Sequence, residues 1–196
     1  MNRLICGRLF LVGACLIFGR PCWGQQSVSE RPDSPRLEVS ILYDAVLSNV
    51  VRSDQFWMQG GSIQVAGQFK YGLGVEADIS GLDTQNANNA GVGLDLVTAT
   101  FGPRYRWSPA GRRYSVFGHA LVGEAFGFNS VFPGPGAASG SANSLALQIG
   151  GGLDWQLKNH LRLRPFEADW LRTQLPNAET GVQNNTRLTT GVVFSF

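Results

Sequence analysis

The chain has 196 residues, with sixteen Lys and Arg against fourteen Asp and Glu, and three cysteines. Cys6, Cys15 and Cys22, together with Arg3, Arg8 and Arg20, all fall within residues 1–24, so the remainder carries 13 − 14 = −1 and no thiol. That excludes disulfides, thiolate metal sites and a cysteine nucleophile from the rest of the chain, and it leaves a nucleic-acid partner without a basic surface.

The first element is unlike the rest. "MNRLICGRLFLVGACLIFGRPCWG" begins basic, turns apolar over 9–18 and ends on a small residue, Gly24. This pattern predicts a cleavable export signal over 1–24, because the apolar run is about half of the roughly 20 residues that a spanning helix needs. "VGAC" at 12–15 has the shape of a lipoprotein cleavage site, but the apolar "LIF" directly after Cys15 argues against lipidation. Residues 25–35, "QQSVSERPDSP", are polar and proline-bearing and read as a flexible leader.

From Arg36 onward, segments of strand composition recur at 36–47, 61–70, 73–82, 96–107, 113–128, 144–157, 161–173 and 186–196. Most exceed the five or six residues usual for strands in globular domains and match the roughly 9–11 of a tilted strand crossing a bilayer. The links alternate in length. Long polar links follow the first, third, fifth and seventh segments, whereas "YG", "SPAGR" and "KNH" follow the second, fourth and sixth. Antiparallel neighbours would gather all long links at one end, the layout of a membrane barrel with short turns on one side and longer loops on the other.

Alternation assigns the faces. Leu37, Val39, Ile41 and Tyr43 oppose Glu38, Ser40, Leu42 and Asp44; Leu73, Val75, Ala77 and Ile79 oppose Gly74, Glu76, Asp78 and Ser80. Val97, Ala99, Phe101, Tyr105 and Trp107 oppose Thr98, Thr100, Gly102, Arg104 and Arg106, while Leu145, Leu147, Ile149, Leu153 and Trp155 oppose Ala146, Gln148, Asp154 and Gln156. In the seventh segment Arg162 and Arg164 have one parity and Glu167 and Asp169 the other, so a bulge is expected at Pro165. In the fifth, Glu124 shares the parity of Val116, Ala120 and Val122, and would face lipid unless it clears the rim or a bulge intervenes.

Two barrels fit this alternation, one soluble with its apolar face inward and one membrane-embedded with its apolar face outward. The aromatics favour the second. Phe69, Tyr71, Tyr105, Trp107, Tyr114, Trp155 and Phe196 gather near the short-turn end, and Trp57, Phe126, Phe128 and Trp170 toward the other. Two aromatic bands suit the two interfaces of a bilayer. The interior would then hold a network of Glu38, Asp44, Glu76, Asp78, Asp154, Glu167 and Asp169 with Arg104, Arg106, Arg162, Arg164 and Arg187. Both signs are needed, since an unpaired buried charge is expensive.

With its export signal, eight-strand rhythm, "GPRYRW" at 102–107 and the ending "GVVFSF", the stretch 36–196 resembles the small eight-stranded outer-membrane proteins of the OmpA/OmpX type. The resemblance implies an all-β, up-and-down antiparallel transmembrane barrel in the outer membrane of a Gram-negative-type bacterium. It implies outer-membrane lipids as surroundings, and periplasmic chaperones and the assembly machinery as partners in biogenesis. Phe194 and Phe196 would form the C-terminal assembly signal. The peptidoglycan-binding domain of full-length OmpA is not carried over.

A barrel of eight strands is wide enough only for its own side chains, so a plugged, porin-like but non-conducting monomer is expected, with no cofactor, no metal and no nucleic acid. Its outer loops would contact an unknown extracellular partner in surface structure, adhesion or envelope integrity. A narrow channel or small-solute binder is the alternative. A lipid-modifying enzyme is a weaker one. His119 and Ser115 lie four residues apart on one strand, about 13 Å, too far for a nucleophile and its base. His160 lies in a short turn, and Glu76 and Asp78 read as members of the network rather than as an acid/base pair.

Overall fold

The computed structural model describes residues 36–48, 55–87, 92–133, 138–176 and 181–196. The export signal expected over 1–24 and the leader over 25–35 lie outside the described residues. Eight strands run in chain order: β1 (Arg36–Ser48), β2 (Phe56–Gln68), β3 (Leu73–Ala87), β4 (Val92–Trp107), β5 (Tyr114–Phe132), β6 (Ser139–Lys158), β7 (Leu161–Thr173) and β8 (Gln183–Ser195). Each pairs antiparallel with its chain neighbours, and β1 pairs with β8 from Glu38↔Ser195 to Leu47↔Thr186, closing the barrel. No strand is left with an open edge.

The stagger follows from the register. Starting at Arg36 and stepping through Gln68, Gly74, Arg104, His119, Gly150, Asp169 and Arg187 returns to β1 at Val46, ten residues above the start (46 − 36). At ~3.3 Å per residue and ~4.8 Å between strands, that climb corresponds to a strand tilt of about 40°. A hydrogen-bonded row therefore rises by about 10/8 of a residue per strand toward the loop end.

The apolar face points outward. Ile41, Ile63, Ile79, Phe101, Val122 and Phe166 are each more than half exposed, while Glu38, Glu76, Asp78, Asp154, Arg164 and Arg187 are buried. Of the two barrels the sequence allows, the chain forms the inverted one. β7 changes phase as its alternation requires. The β7–β8 register shifts between Arg164 and Glu167, Pro165 and Phe166 are exposed, and Arg164 and Glu167 are both buried.

Strand lengths depart from the sequence reading at the loop end. β2 begins at Phe56, β3 continues to Ala87, β4 begins at Val92, and β5 and β6 run on to Phe132 and back from Ser139. Within the segments read as long links, residues 56–60, 83–87, 92–95, 129–132 and 139–143 are thus strand. Their alternation persists, but the inner face becomes apolar and the outer face mixes polar residues with Trp57 and Phe128. Phe56, Met58, Leu82, Leu94, Leu96 and Leu171 point inward and pack with Val46, Ala125, Phe132, Ala146 and Leu175 into one buried cluster, whereas Gln59, Asp83 and Glu124 point outward. Because β5 has no register shift before Phe128, Glu124 stays on the outer face, paired with Ala99 and Leu145. Its row passes through Ile41, Ile63, Ile79 and Ala99, and the climb over four strands sets it about five residues above Ile41. That is the level of Val46, where the lumen has already become apolar.

The chain end is docked. The Ser195 N–H donates to the His160 carbonyl (3.0 Å), and the Phe196 N–H to the Leu37 carbonyl (2.9 Å). The Phe196 ring remains on the outside, 72% exposed.

Candidate functional site

The lumen at the turn end is where the chain concentrates its chemistry. The circuit that fixes the stagger brings Arg104, His119, Asp169 and Arg187 onto one continuous row, and all four side chains are buried. Inward parity on the eight strands does the rest.

Three layers can be traced. Nearest the turns, Glu38 receives Arg106 and Arg162 (2.6 Å), with Arg104 at 3.6 Å. Asp154 receives Arg106 (2.5 Å) and Arg164 (2.7 Å). In the middle, Arg104 reaches Glu76 (2.8 Å), and Arg164 reaches Glu167 (2.7 Å) and the Gln64 amide oxygen. The Gln64 amide donates in turn to Asp78 and Glu167, each at 2.9 Å. Above them Arg187 binds Asp78 (2.7 Å) and Asp44 (3.1 Å) and donates to Ser62 (3.2 Å). Thr189 adds a bond to Asp44 (2.7 Å).

Every interior residue expected from the sequence lies in this network, and all are buried except Arg162, whose side chain is 12% exposed. Glu76 and Asp78 have different partners. Glu76 meets Arg104 and His119, and Asp78 meets Arg187 and Gln64.

His119 occupies the centre, with Nδ1 2.8 Å from Glu76 and Nε2 3.0 Å from Asp169. Both ring nitrogens thereby face carboxylates, with hydrogen-bond geometry at Nε2 alone. Ligand atoms of His119, Glu167 and Asp169 come within 4.8 Å of one another, a grouping that could hold a metal ion. Positive charge is already provided there by Arg164 against Glu167 and by Arg187 at 3.7 Å from Asp169. Gly150 makes the central contact possible, because a Cβ there would fall 1.9 Å from the Asp169 Oδ1 that faces His119. His160 lies away from this centre, and its Nδ1–H donates to the Ser195 carbonyl (2.9 Å).

Several members escape a reading built on charge. Gln64, Gln148, Ser62 and Thr189 are neutral, yet each bonds an ionised partner or completes a chain to one: Gln148 donates to Asp169 (2.9 Å), and Thr100 to Gln148 (3.3 Å). Phe117 is the least expected. Its buried ring carries two guanidiniums, with Arg104 4.1 Å and Arg164 4.3 Å from the centroid, and its π-face attracts both cations. The available clue was its parity, shared with Ser115 and His119.

On the outer surface Trp57, Phe69, Tyr71, Tyr105, Trp107, Trp155, Trp170, Phe128 and Phe196 are exposed, as is Phe194, while Tyr114 and Phe126 are half-buried. Tyr71 sits in the single turn between β2 and β3 at a positive φ of 60° and is 85% exposed.

No protein-family model matches the chain, and no curated protein matches it. Solved structures do. The chain is similar to Ail, the attachment invasion locus protein of Yersinia pestis, in complex with the heparin analogue sucrose octasulfate. That match has 16% identity and a TM-score of 0.55, covering 83% of this chain and 99% of that one. It is also similar to Neisserial surface protein A, with 13% identity and a TM-score of 0.58 over 83% of this chain and 97% of that one. With the closed register and the inverted faces, these likenesses show that the chain has the fold of the small eight-stranded outer-membrane β-barrels.

Proposed function

We propose that the chain is a non-enzymatic outer-membrane barrel that acts in surface structure, adhesion or envelope integrity through its loop end. One observation carries the reading: the barrel wears an apolar coat over part of its height only. Along β3 the outward residues are apolar or small from Leu73 to Ile79, and Asp83 ends the series. Ten residues at that rise and tilt span roughly 25 Å, the height of the apolar band of outer-membrane barrels. Charged and amide side chains begin where the band ends, so the strands continue past the lipid into water. The exposed aromatics near the turns suit the periplasmic interface. The extended ends of β5 and β6 would then stand outside the cell, where contacts with other surfaces are made. The likeness to an attachment protein supports that placement.

The lumen argues against the channel alternative. It is filled at one level by paired charges and at the next by the apolar cluster. The carboxylates that face both ring nitrogens of His119, where a hydrolase would place a serine, argue against a hydrolase in the lumen.

The test is refolding of the full chain into lipid vesicles. A compact band that shifts on boiling, vesicle-dependent folding and silent planar bilayers are expected. Recovery as a monodisperse folded protein in detergent-free buffer would sink the membrane reading. Steady single-channel steps would instead replace the plugged lumen by a pore. Removal of Phe196, which clasps Leu37 and presents its ring outward, is predicted to lower assembly in cells; normal insertion of the truncated chain would remove its role as an assembly signal.

A further inference from the structure

The turn-end mouth of the barrel encloses a cavity of about 240 Å³. Its lining includes Arg106, Arg112, Arg113 and Arg162, and the only carboxylate among the lining residues is Asp154. That carboxylate is already engaged by Arg106 and Arg164. Glu38 beneath is shared by Arg106 and Arg162, with Arg104 at 3.6 Å. The acids of the floor are therefore saturated, and positive charge is left over.

The surplus is positioned. In the β4–β5 turn the Arg112 N–H donates to the Pro109 carbonyl (3.2 Å), and the Gln156 N–H donates to the Arg113 carbonyl (2.6 Å). The backbone that carries both arginines is thus tied to the barrel, and their exposed side chains have no ion-pair partner among the described residues. Arg106 is 5% exposed, and its Nε is buried without a hydrogen-bond partner. Four guanidiniums round a mouth, one of them with an unanswered donor, form the kind of site that planar forks make for a multi-oxygen anion.

We propose that this mouth binds a phosphate group. The charge sets the class, since four guanidiniums line the cavity against one carboxylate that is already engaged, and the volume admits a tetrahedral anion with room for its ester arm. The buried Ser115 lines the cavity and provides a hydroxyl donor beside the arginines. Two sources share the chemistry: free phosphate from the aqueous side and the headgroup of a phospholipid. Phe69 and Tyr114 also line the cavity, which sets it at the level of the turn-end aromatics. The headgroup arm rests on the membrane reading above; the anion site itself does not.

The experiment titrates the refolded full chain, in zwitterionic micelles, with inorganic phosphate and separately with short-chain phosphatidylglycerol, following heat of binding. Saturable binding of at least one probe is expected. The double variant R112Q/R113Q, at two exposed positions outside the interior network, should weaken it by about tenfold or more, with the boiling-dependent gel shift confirming that the barrel is intact. Lys158→Gln removes an exposed cation that does not line the cavity, and it should bind as the parent does. Phosphate binding alone assigns the site to free anion; lipid binding alone, or far tighter, assigns it to a headgroup. Absence of saturation with both probes, an unaltered R112Q/R113Q, or equal loss in Lys158→Gln would each overturn the site.

Discussion

At the turn end the barrel keeps its charges inside and its oil outside; further along the same strands the arrangement is turned over. β2 shows both halves. Gln64 and Ser62 point into the ionic network while Ile63 and Val65 point out; then Met58 and Phe56 point in, and Gln59 and Trp57 point out. No register shift separates the halves in β2, so backbone parity is continuous and only the surroundings change. The lesson is that alternation belongs to the pleat, whereas its polarity belongs to whatever lies on either side. Where lipid is outside, polar groups must find partners within. Where water is outside, an ordinary apolar core is the cheaper filling. The two halves also support each other, since the apolar layer of Val46, Met58, Leu82 and Leu96 roofs the network and keeps bulk water from weakening its ion pairs.

The comparison can be broken first at Arg187. Arg187→Ala leaves Asp44 and Asp78 buried without their guanidinium, and a loss of about 3–5 kcal/mol is expected. Urea unfolding of the refolded barrel in lipid measures it; a change near zero would mean that water reaches this layer. In the upper half Leu94→Ala should behave as a soluble-protein core deletion, with a loss of about 2–5 kcal/mol by the same assay. A negligible effect would show that the roof is loosely packed. The outer face sharpens the boundary. Ile63→Lys puts a charge at the middle of the proposed lipid band and should cost about 2–4 kcal/mol. Gln59→Lys, four residues up the same face of β2, should cost about 0–1 kcal/mol. Equal costs at the two positions would erase the boundary between them.

Much of this is legible in the amino-acid order alone. The period of two in β1, β3, β4 and β6, the long and short links, and the phase change at Pro165 are all properties of single segments, and each survives folding. What escapes is relational. "FWMQG" at 56–60 reads as a loop because Phe56 and Met58 have the parity of polar neighbours further along, and a strand that inverts its polarity looks like a strand that has ended. The pairing map is hidden for another reason. Which arginine meets which acid depends on the ten-residue stagger, and no segment carries that number alone. Neutral members such as Gln64, and Phe117 with its two guanidiniums, bear no charge to announce them.

The clasp at the chain end bears on how the cylinder comes to be shut. His160 holds Ser195 through both its ring and its carbonyl, a contact available as soon as the last hairpin has formed. The bond from Phe196 to Leu37, by contrast, joins positions 196 − 37 = 159 residues apart and bears the largest loop entropy in the sheet. Loop entropy therefore favours zipping from hairpin to hairpin, with the first and last strands meeting once the other seven seams are sewn.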